Sequence, residues 1–359
     1  MLDSIKTLAR QYAPDVVTTR RHLHAHPELS FHEHETARFV ANELTAIGLV
    51  PQEGVAGTGV VALIEGTKTN GDGKTVGLRA DMDALPIREV NDVPYKSTVA
   101  GVMHACGHDA HTASLLGCAR ILYTLRDEFS GTVKLVFQPA EEKAPGGASL
   151  MIREGVLENP APVSMIGQHV APNIPVGKIG FREGMYMAST DELYLTVRGK
   201  GGHAAQPSSL VDPVLIASHI VVAMQQIISR NCPPASPSVL SFGRFIADGV
   251  TNVIPNEVTL EGTFRCMNED WREEGLRRMK KLAEGMAEAM GGTCEFTRVK
   301  GYPFLQNHPA LTRRLRAETV EYIGQENVID LDLWMAGEDF AFYSQVVDSC
   351  FYQIGRAHV

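Results

Sequence analysis

Residues 132–138 read TVKLVFQ, and residues 138–142 continue QPAEE. The heptapeptide is β-branched and apolar, the pattern of a strand buried on both faces. Such strands belong to α/β sheets covered by helices on each side. The segment that follows places two adjacent carboxylates, Glu141 and Glu142, at the strand's carboxyl end. That is where open α/β sheets bind ligands. One carboxylate there can hold a metal while its neighbour takes a proton from metal-bound water. A lone EE pair is more often a solvated acidic loop, but its place directly after a buried strand argues against that reading.

Outward from this strand, the first half of the chain alternates helix and strand. Apolar spacing predicts helices over 3–24 and 34–48, the second closed by Gly48. Strands are expected at 59–65, 75–80 and 163–169, with helices over about 109–125 and 148–154. The character changes near residue 184. DELYLTVR (191–198) alternates polar and apolar and reads as a half-exposed strand. A helix over 213–229, strands at 238–246, 250–254 and 257–266, a charged helix over 271–290 and a strand at 293–299 follow. This β-α-β-β-α-β order is that of a ferredoxin-like split unit. It reads as an insertion, because the character of the first half resumes after about residue 300. The expected organisation is an α/β domain with helices on both sheet faces, 1–183 and 299–359, interrupted by an α+β domain, 184–298.

The chemistry concentrates in MHACGHDAH, residues 103–111, which packs three histidines, a cysteine and an aspartate into nine positions. No packing requirement calls for that mixture, whereas borderline and soft ligands between small residues suit a transition metal. Cys106 and His108 can converge on one ion where a loop meets a helix. An isolated CxH is more often a buried thiol beside a surface imidazole; here further clusters compete with that reading. GQHVAP puts His169 at the end of another strand, a third ligand candidate that would be weak alone. RADMDALP places Asp81 and Asp83 just after the strand at 75–80, and either can hydrogen-bond a metal-bound imidazole and fix its tautomer. In the inserted domain, GKGGHAAQP carries His203 between small residues. TNVIPNE and TFRC supply Asn252 and Arg265, and an arginine at a strand end can clamp a carboxylate, although a surface ion pair is its commoner use.

Composition bounds the rest. The chain's 359 residues and 44% hydrophobic content suffice for two cored domains, and the net charge of -9 without a basic run excludes nucleic acid as an expected partner. The N-terminus lacks the apolar core of a signal peptide, and no uninterrupted apolar run is long enough for a bilayer, so no membrane association is expected. Six scattered cysteines without a CxxC pair read as mostly buried, reduced thiols of a cytoplasmic protein.

Together, RRHLHAHPELSFHE (20–33), RADMDALPI, GVMHACGHDAHTA, FQPAEE, GKGGHAAQP and MAGEDFAFY (335–343) resemble the metal-dependent amidohydrolases. That family includes hippurate hydrolase, auxin–amino acid conjugate hydrolases, N-acyl-amino acid aminoacylases and N-acetyldiaminopimelate deacetylase, and it is related to the dinuclear aminopeptidases and glutamate carboxypeptidases. The resemblance implies a dinuclear-aminopeptidase-like catalytic domain and a ferredoxin-like lid domain that also forms a homodimer. It implies two divalent transition-metal ions (Mn, Zn, Co or Ni) bridged by water or hydroxide. Cys106, His108, Glu142 and His169 would be metal ligands, Glu141 the general base and later acid, and Asp83 the carboxylate behind a ligand. His203 would reach the partner's active site and stabilise the oxyanion, and Asn252 and Arg265 would help bind the substrate carboxylate. The implied reaction is hydrolysis of small N-acyl-L-amino acids. The alternatives are a di- or carboxypeptidase of the related branch, which normally has a carboxylate where this chain has Cys106, and a catalytically impaired ligand-binding form.

The resemblance also implies a last metal-ligating histidine in a stretch beyond this chain's end. His358, in the terminal IGRAHV, does not sit in that motif and is not assigned as the ligand. IGRAHV resembles a translated sequencing adapter, and the native coding sequence is expected to be cut at about Gln353. The expected consequences are weaker binding of one metal, poor turnover and exposed apolar surface.

Overall fold

The computed structural model describes residues 1–69 and 71–356, so His358 lies outside the described residues. The chain forms two compact units. The first comprises Met1–Tyr186, Gln306–Leu333 and Asp339–Val359, and the second comprises Met187–Leu305 with Trp334–Glu338.

The first unit opens with helices α1 (Leu2–Ala25) and α2 (His34–Ile47), and α2 ends on Gly48 in the left-handed conformation. Strands β1 (Gln52–Val55), β2 (Gly59–Glu65) and β3 (Thr75–Asp81) precede helix α3 (His108–Thr124). After β4 (Thr132–Gln138) come α4 (Gly147–Arg153), β5 (Ser164–Ala171) and β6 (Ile179–Phe181). These strands join Val328–Asp330 and Ser349–Gly355 in one eight-stranded sheet, in the order β1, β2, β4, β3, β5, Ser349–Gly355, β6, Val328–Asp330. β4, β3, β5 and Ser349–Gly355 run parallel, so the carboxyl ends of these strands share one edge.

The buried reading of TVKLVFQ holds from Lys134 onward, each residue being 3% exposed or less. Leu135 and Phe137 pack with Val40 and Leu44 of α2, Leu116 of α3, and Val60 and Ile64 of β2. On the alternate face, Val136 is equally buried. Burying each such side chain contributes about 1.5–3 kcal/mol, which is why a run without polar alternation settles in the sheet interior. Lys134 is tolerated because its ammonium donates to the carbonyls of Val156 and Glu158.

The strand Ser349–Gly355 was not anticipated by local pattern. It pairs Gln353 with His169 and continues through Ile354 and Gly355, so the first two residues of the IGRAHV segment belong to the sheet.

In the second unit, the antiparallel sheet has the order Ser238–Ile246, Glu257–Cys266, Ser189–Arg198, Thr293–Lys300. With the helices Pro213–Gln226 and Glu269–Ala289 between strands, this is the split β-α-β-β-α-β arrangement. The strand Ser189–Arg198 alternates buried and exposed positions: Leu193, Leu195 and Val197 turn inward onto Ile216, Ile220, Met224 and Met279. The segment Pro213–Asn231 is long and apolar enough for a bilayer by composition, and the helix within it instead buries one face in this core. Asp212 and Asn268 cap the two helices through N–H bonds from Val214 and Trp271. The expected strand at 250–254 is a correction: only Val253–Ile254 pairs as strand, because Val250 turns back to bridge Val253. All six cysteines are free; Cys266 and Cys350 are buried and the other four half-buried.

Candidate metal centre

The loop after β3, the turn after β4, the end of β5 and the start of α3 bring Cys106, His108, Glu141, Glu142 and His169 together at the carboxyl edge of the parallel strands. Gly107 makes the approach of α3 feasible. Its φ is +94°, and a β-carbon there would stand 2.3 Å from Val170 Cγ2 of β5. A side chain at this position would therefore push Cys106 and His108 away from His169.

Cys106 Sγ lies 3.3 Å from His169 Nε2, and the ligand atoms of Cys106, His108 and His169 all fall within 4.8 Å of one another. His108, Glu141 and Glu142 form an overlapping group with the same spread. His108 Nε2 stands 3.9 Å from Glu142 Oε1. Both of those atoms are buried and make no hydrogen bond among the described residues. Leaving buried polar atoms unmade costs about 1–3 kcal/mol each, so the arrangement fits an ion that both would face. The donor set of thiol, two imidazoles and carboxylate suits a borderline transition metal.

The tautomers are set from behind. His169 donates its Nδ1–H to the Val170 carbonyl at 2.7 Å, leaving the Nε2 lone pair toward Cys106. Burial, with His111 nearby, pushes its pKa down to about 3, so the ring is neutral. His108 donates Nδ1–H to Asp83 Oδ1 at 3.1 Å. Asp83 Oδ2 accepts the Ser30 hydroxyl at 2.6 Å and the Glu142 N–H at 2.9 Å. Burial disfavours a proton on His108, but Asp81, Cys106 and Asp83 outweigh it and raise its pKa well above that of free imidazole. The pocket thus favours positive charge beside His108 Nε2. Burial also raises the Cys106 thiol and the Glu142 carboxyl.

Of the two aspartates after the strand at 75–80, Asp83, the one the resemblance implies, holds His108. Asp81 binds His111 Nδ1 at 2.6 Å and Arg79 Nη1 at 2.6 Å. His111 accepts the Val170 N–H on Nε2, so both its nitrogens are engaged within the protein. His104 is buried but joins no group of ligand atoms among the described residues.

Sequence reasoning gave no role to the network behind the turn. Asp339 binds Arg79 Nη2 at 2.7 Å, the Gln138 amide at 2.8 Å and the Ala148 N–H at 3.0 Å. Its own N–H points to Glu141 Oε1 at 3.4 Å. An arginine inside a buried strand (RAD, 79–81) and the acidic pair in GEDF were the available signals.

In the second unit, His203 and Asn252 are neighbours: His203 pairs with Val253, and the Ala204 N–H donates to the Asn252 carbonyl at 2.9 Å. Both side chains are exposed. Arg265, half-buried on Glu257–Cys266, bonds Thr263 Oγ1 at 3.1 Å and forms no ion pair among the described residues. The commoner use of such an arginine, a surface ion pair, is therefore not what this one does.

A mixed α/β sheet whose parallel strands carry cysteine, histidine and glutamate donors at their carboxyl ends defines a metal-binding α/β architecture. The chain belongs to Peptidase family M20/M25/M40, whose model matches residues 77–358. It is 42% identical over 300 residues to an N-acyl-L-amino acid amidohydrolase of Geobacillus stearothermophilus, covering 84% of this chain and 80% of that one. It is 39% identical over 344 residues to an N-acetylcysteine deacetylase of Bacillus subtilis (strain 168), covering 95% and 88%. Its fold matches a dinuclear metal binding peptidase of Bacillus subtilis with a TM-score of 0.81 at 35% identity, over 96% of this chain and 89% of that one.

Proposed function

We propose that the protein hydrolyses the amide bond of N-acyl-L-amino acids to a carboxylate and a free amino acid. The observation that carries this reading is the convergence of Cys106, His108, Glu142 and His169 with two buried, unpartnered donor atoms beside Glu141. These four residues would hold two divalent ions of the Mn, Zn, Co or Ni type, which supply Lewis-acid polarisation of the carbonyl and acidify water. Glu141 takes the proton from water and returns it to the leaving amine. Asp83 orients His108. Arg265 and Asn252 bind the substrate carboxylate, and the guanidinium of Arg265, which forms no ion pair among the described residues, supports that role. The names of the two amidohydrolase and deacetylase relatives support the substrate class.

The second unit forms a lid and dimerises, and His203 of one subunit stabilises the oxyanion in the partner's active site. In support, Leu215 (51% exposed) and Val222 (73% exposed) lie two turns apart on the outer face of the helix Pro213–Gln226, and Phe245 (43% exposed) lies on the edge strand of the sheet. Cys106 favours the amidohydrolase over the dipeptidase branch.

The test is a panel of N-acetyl amino acids, N-benzoyl amino acids and dipeptides with the metal-replenished protein and its Glu141→Gln variant. Turnover of acyl-amino acids that Glu141→Gln abolishes is expected. Preferential dipeptide cleavage, or equal rates for both proteins, overturns the reading.

A further inference from the structure

The turn that presents Glu141 and Glu142 is anchored by a residue from a distant helix. Glu33, at the start of α2, is fully buried. Its Oε1 accepts the Ala140 N–H at 2.8 Å, and its Oε2 accepts the Thr58 hydroxyl at 2.7 Å. Ala140 has φ +50°, the left-handed region that residues with a β-carbon avoid.

The conformation is pinned on the other sides as well. The Ala140 carbonyl accepts the Gly147 N–H at 3.0 Å, and a β-carbon on Gly147 would meet the Pro139 oxygen at 1.8 Å. Beyond Glu141, the Glu142 N–H is bound to Asp83. A residue in an unfavourable backbone region persists when its surroundings over-determine it, and such residues cluster at functional sites. Burying a carboxylate is costly unless it is well bonded, and packing alone has no use for one here. Beyond its own residue, its backbone partner among the described residues is Ala140, immediately before the two working glutamates.

We propose that Glu33 is a positioning residue: by binding the Ala140 N–H it fixes the strained turn and so the placement of Glu141 against the metal ligands. The inference rests on the reading of Glu141 as the base. Glu33 touches no ligand and none of the reacting groups, so its effect is on geometry. Displacements on the scale of an ångström at a reacting group cost about 10²-fold in rate.

The experiment compares kcat, KM and bound metal for Glu33→Ala, Glu33→Gln and Thr58→Val, with Glu141→Gln as control, on N-acetyl amino acids. Glu33→Ala is expected to lower kcat about 10²-fold with metal content unchanged and KM shifted less than about threefold. Glu33→Gln keeps an acceptor for the Ala140 N–H and is expected to recover most of kcat. Thr58→Val frees one oxygen of Glu33 and is expected to lower kcat several-fold, roughly in keeping with a loosened anchor. A folded, metal-loaded Glu33→Ala with wild-type kcat overturns the proposal. So does a loss that follows metal content or folded fraction, or one that Glu33→Gln fails to rescue. If Glu33→Ala does not fold, unaltered kcat in a folded, metal-loaded Thr58→Val overturns it. An active Glu141→Gln brings down the reading of the base and this inference with it. An inactive Glu141→Gln beside an unimpaired Glu33→Ala brings down the inference alone.

Discussion

Asp83 Oδ1 accepts the Nδ1–H of His108 at 3.1 Å, while its other oxygen accepts the N–H of Glu142. One buried carboxylate therefore aims an imidazole and secures the backbone of a neighbouring carboxylate ligand candidate. Replacing Asp83 by Asn keeps the shape and removes the charge. The expected result is a loss of about 10–100-fold in metal affinity, read by competition with a chelator of known strength. Unchanged affinity would detach Asp83 from the centre.

Metal removal has a stability consequence. Asp81, Asp83 and Glu142 crowd negative charge around His108, so a bound divalent ion stabilises the first unit. Saturation at about 100 times Kd contributes about 2.7 kcal/mol. Chelation is expected to lower the melting temperature, and Mn, Zn, Co or Ni to restore it. Mg and Ca at equal concentration are expected to do little, since they select oxygen-only sites.

The second unit has its own weak point. Arg272 is fully buried, with Nε 2.7 Å and Nη2 3.0 Å from the two oxygens of Asp191. Arg298 binds the same carboxylate at 2.7 Å. Arg272→Met leaves Asp191 with less compensation and is expected to destabilise by about 3–5 kcal/mol, read as a lower urea midpoint. A midpoint within error of the wild type would count against it.

Stability should also depend on pH through His24. The ring binds Asp109 Oδ2 at 2.7 Å and Glu89 Oε1 at 3.1 Å. Burial lowers its pKa, but the Asp109 hydrogen bond and charge, with Glu89, outweigh it and raise the pKa above 6.5. A raised pKa means the folded state binds the proton more tightly. The stabilisation is fully present below pH 6.5 and is lost as pH rises through the higher folded value. The urea midpoint of the wild type should exceed that of His24→Phe most at about pH 6, and the gap should narrow toward about pH 9. A gap that widens with pH would contradict the assignment.

Much of the architecture was legible because it is local. The strands Gly59–Glu65, Thr132–Gln138, Ser238–Ile246 and Glu257–Cys266 fall on the expected bounds, since each is a continuous apolar or alternating run between turn residues. Boundaries marked by longer-range pairing were less legible. The stretch 250–254 has the composition of a strand, yet Val253 folds onto His203 and leaves two paired residues.

The sequence by itself determined the residue chemistry: a thiol, imidazoles and paired carboxylates at strand ends, in motifs specific enough to identify the family. Spacing and residue type left open which aspartate serves which histidine, and the family resemblance alone pointed to Asp83. Asp81 and Asp83 are two residues apart, and only the packing of α3 over β3 and β5 sends one to His111 and the other to His108. Nor could the sequence pair Glu33 with Ala140, 107 positions away. That bond depends on where α2 lies against the turn after β4, a consequence of strand order and helix packing that no local periodicity carries.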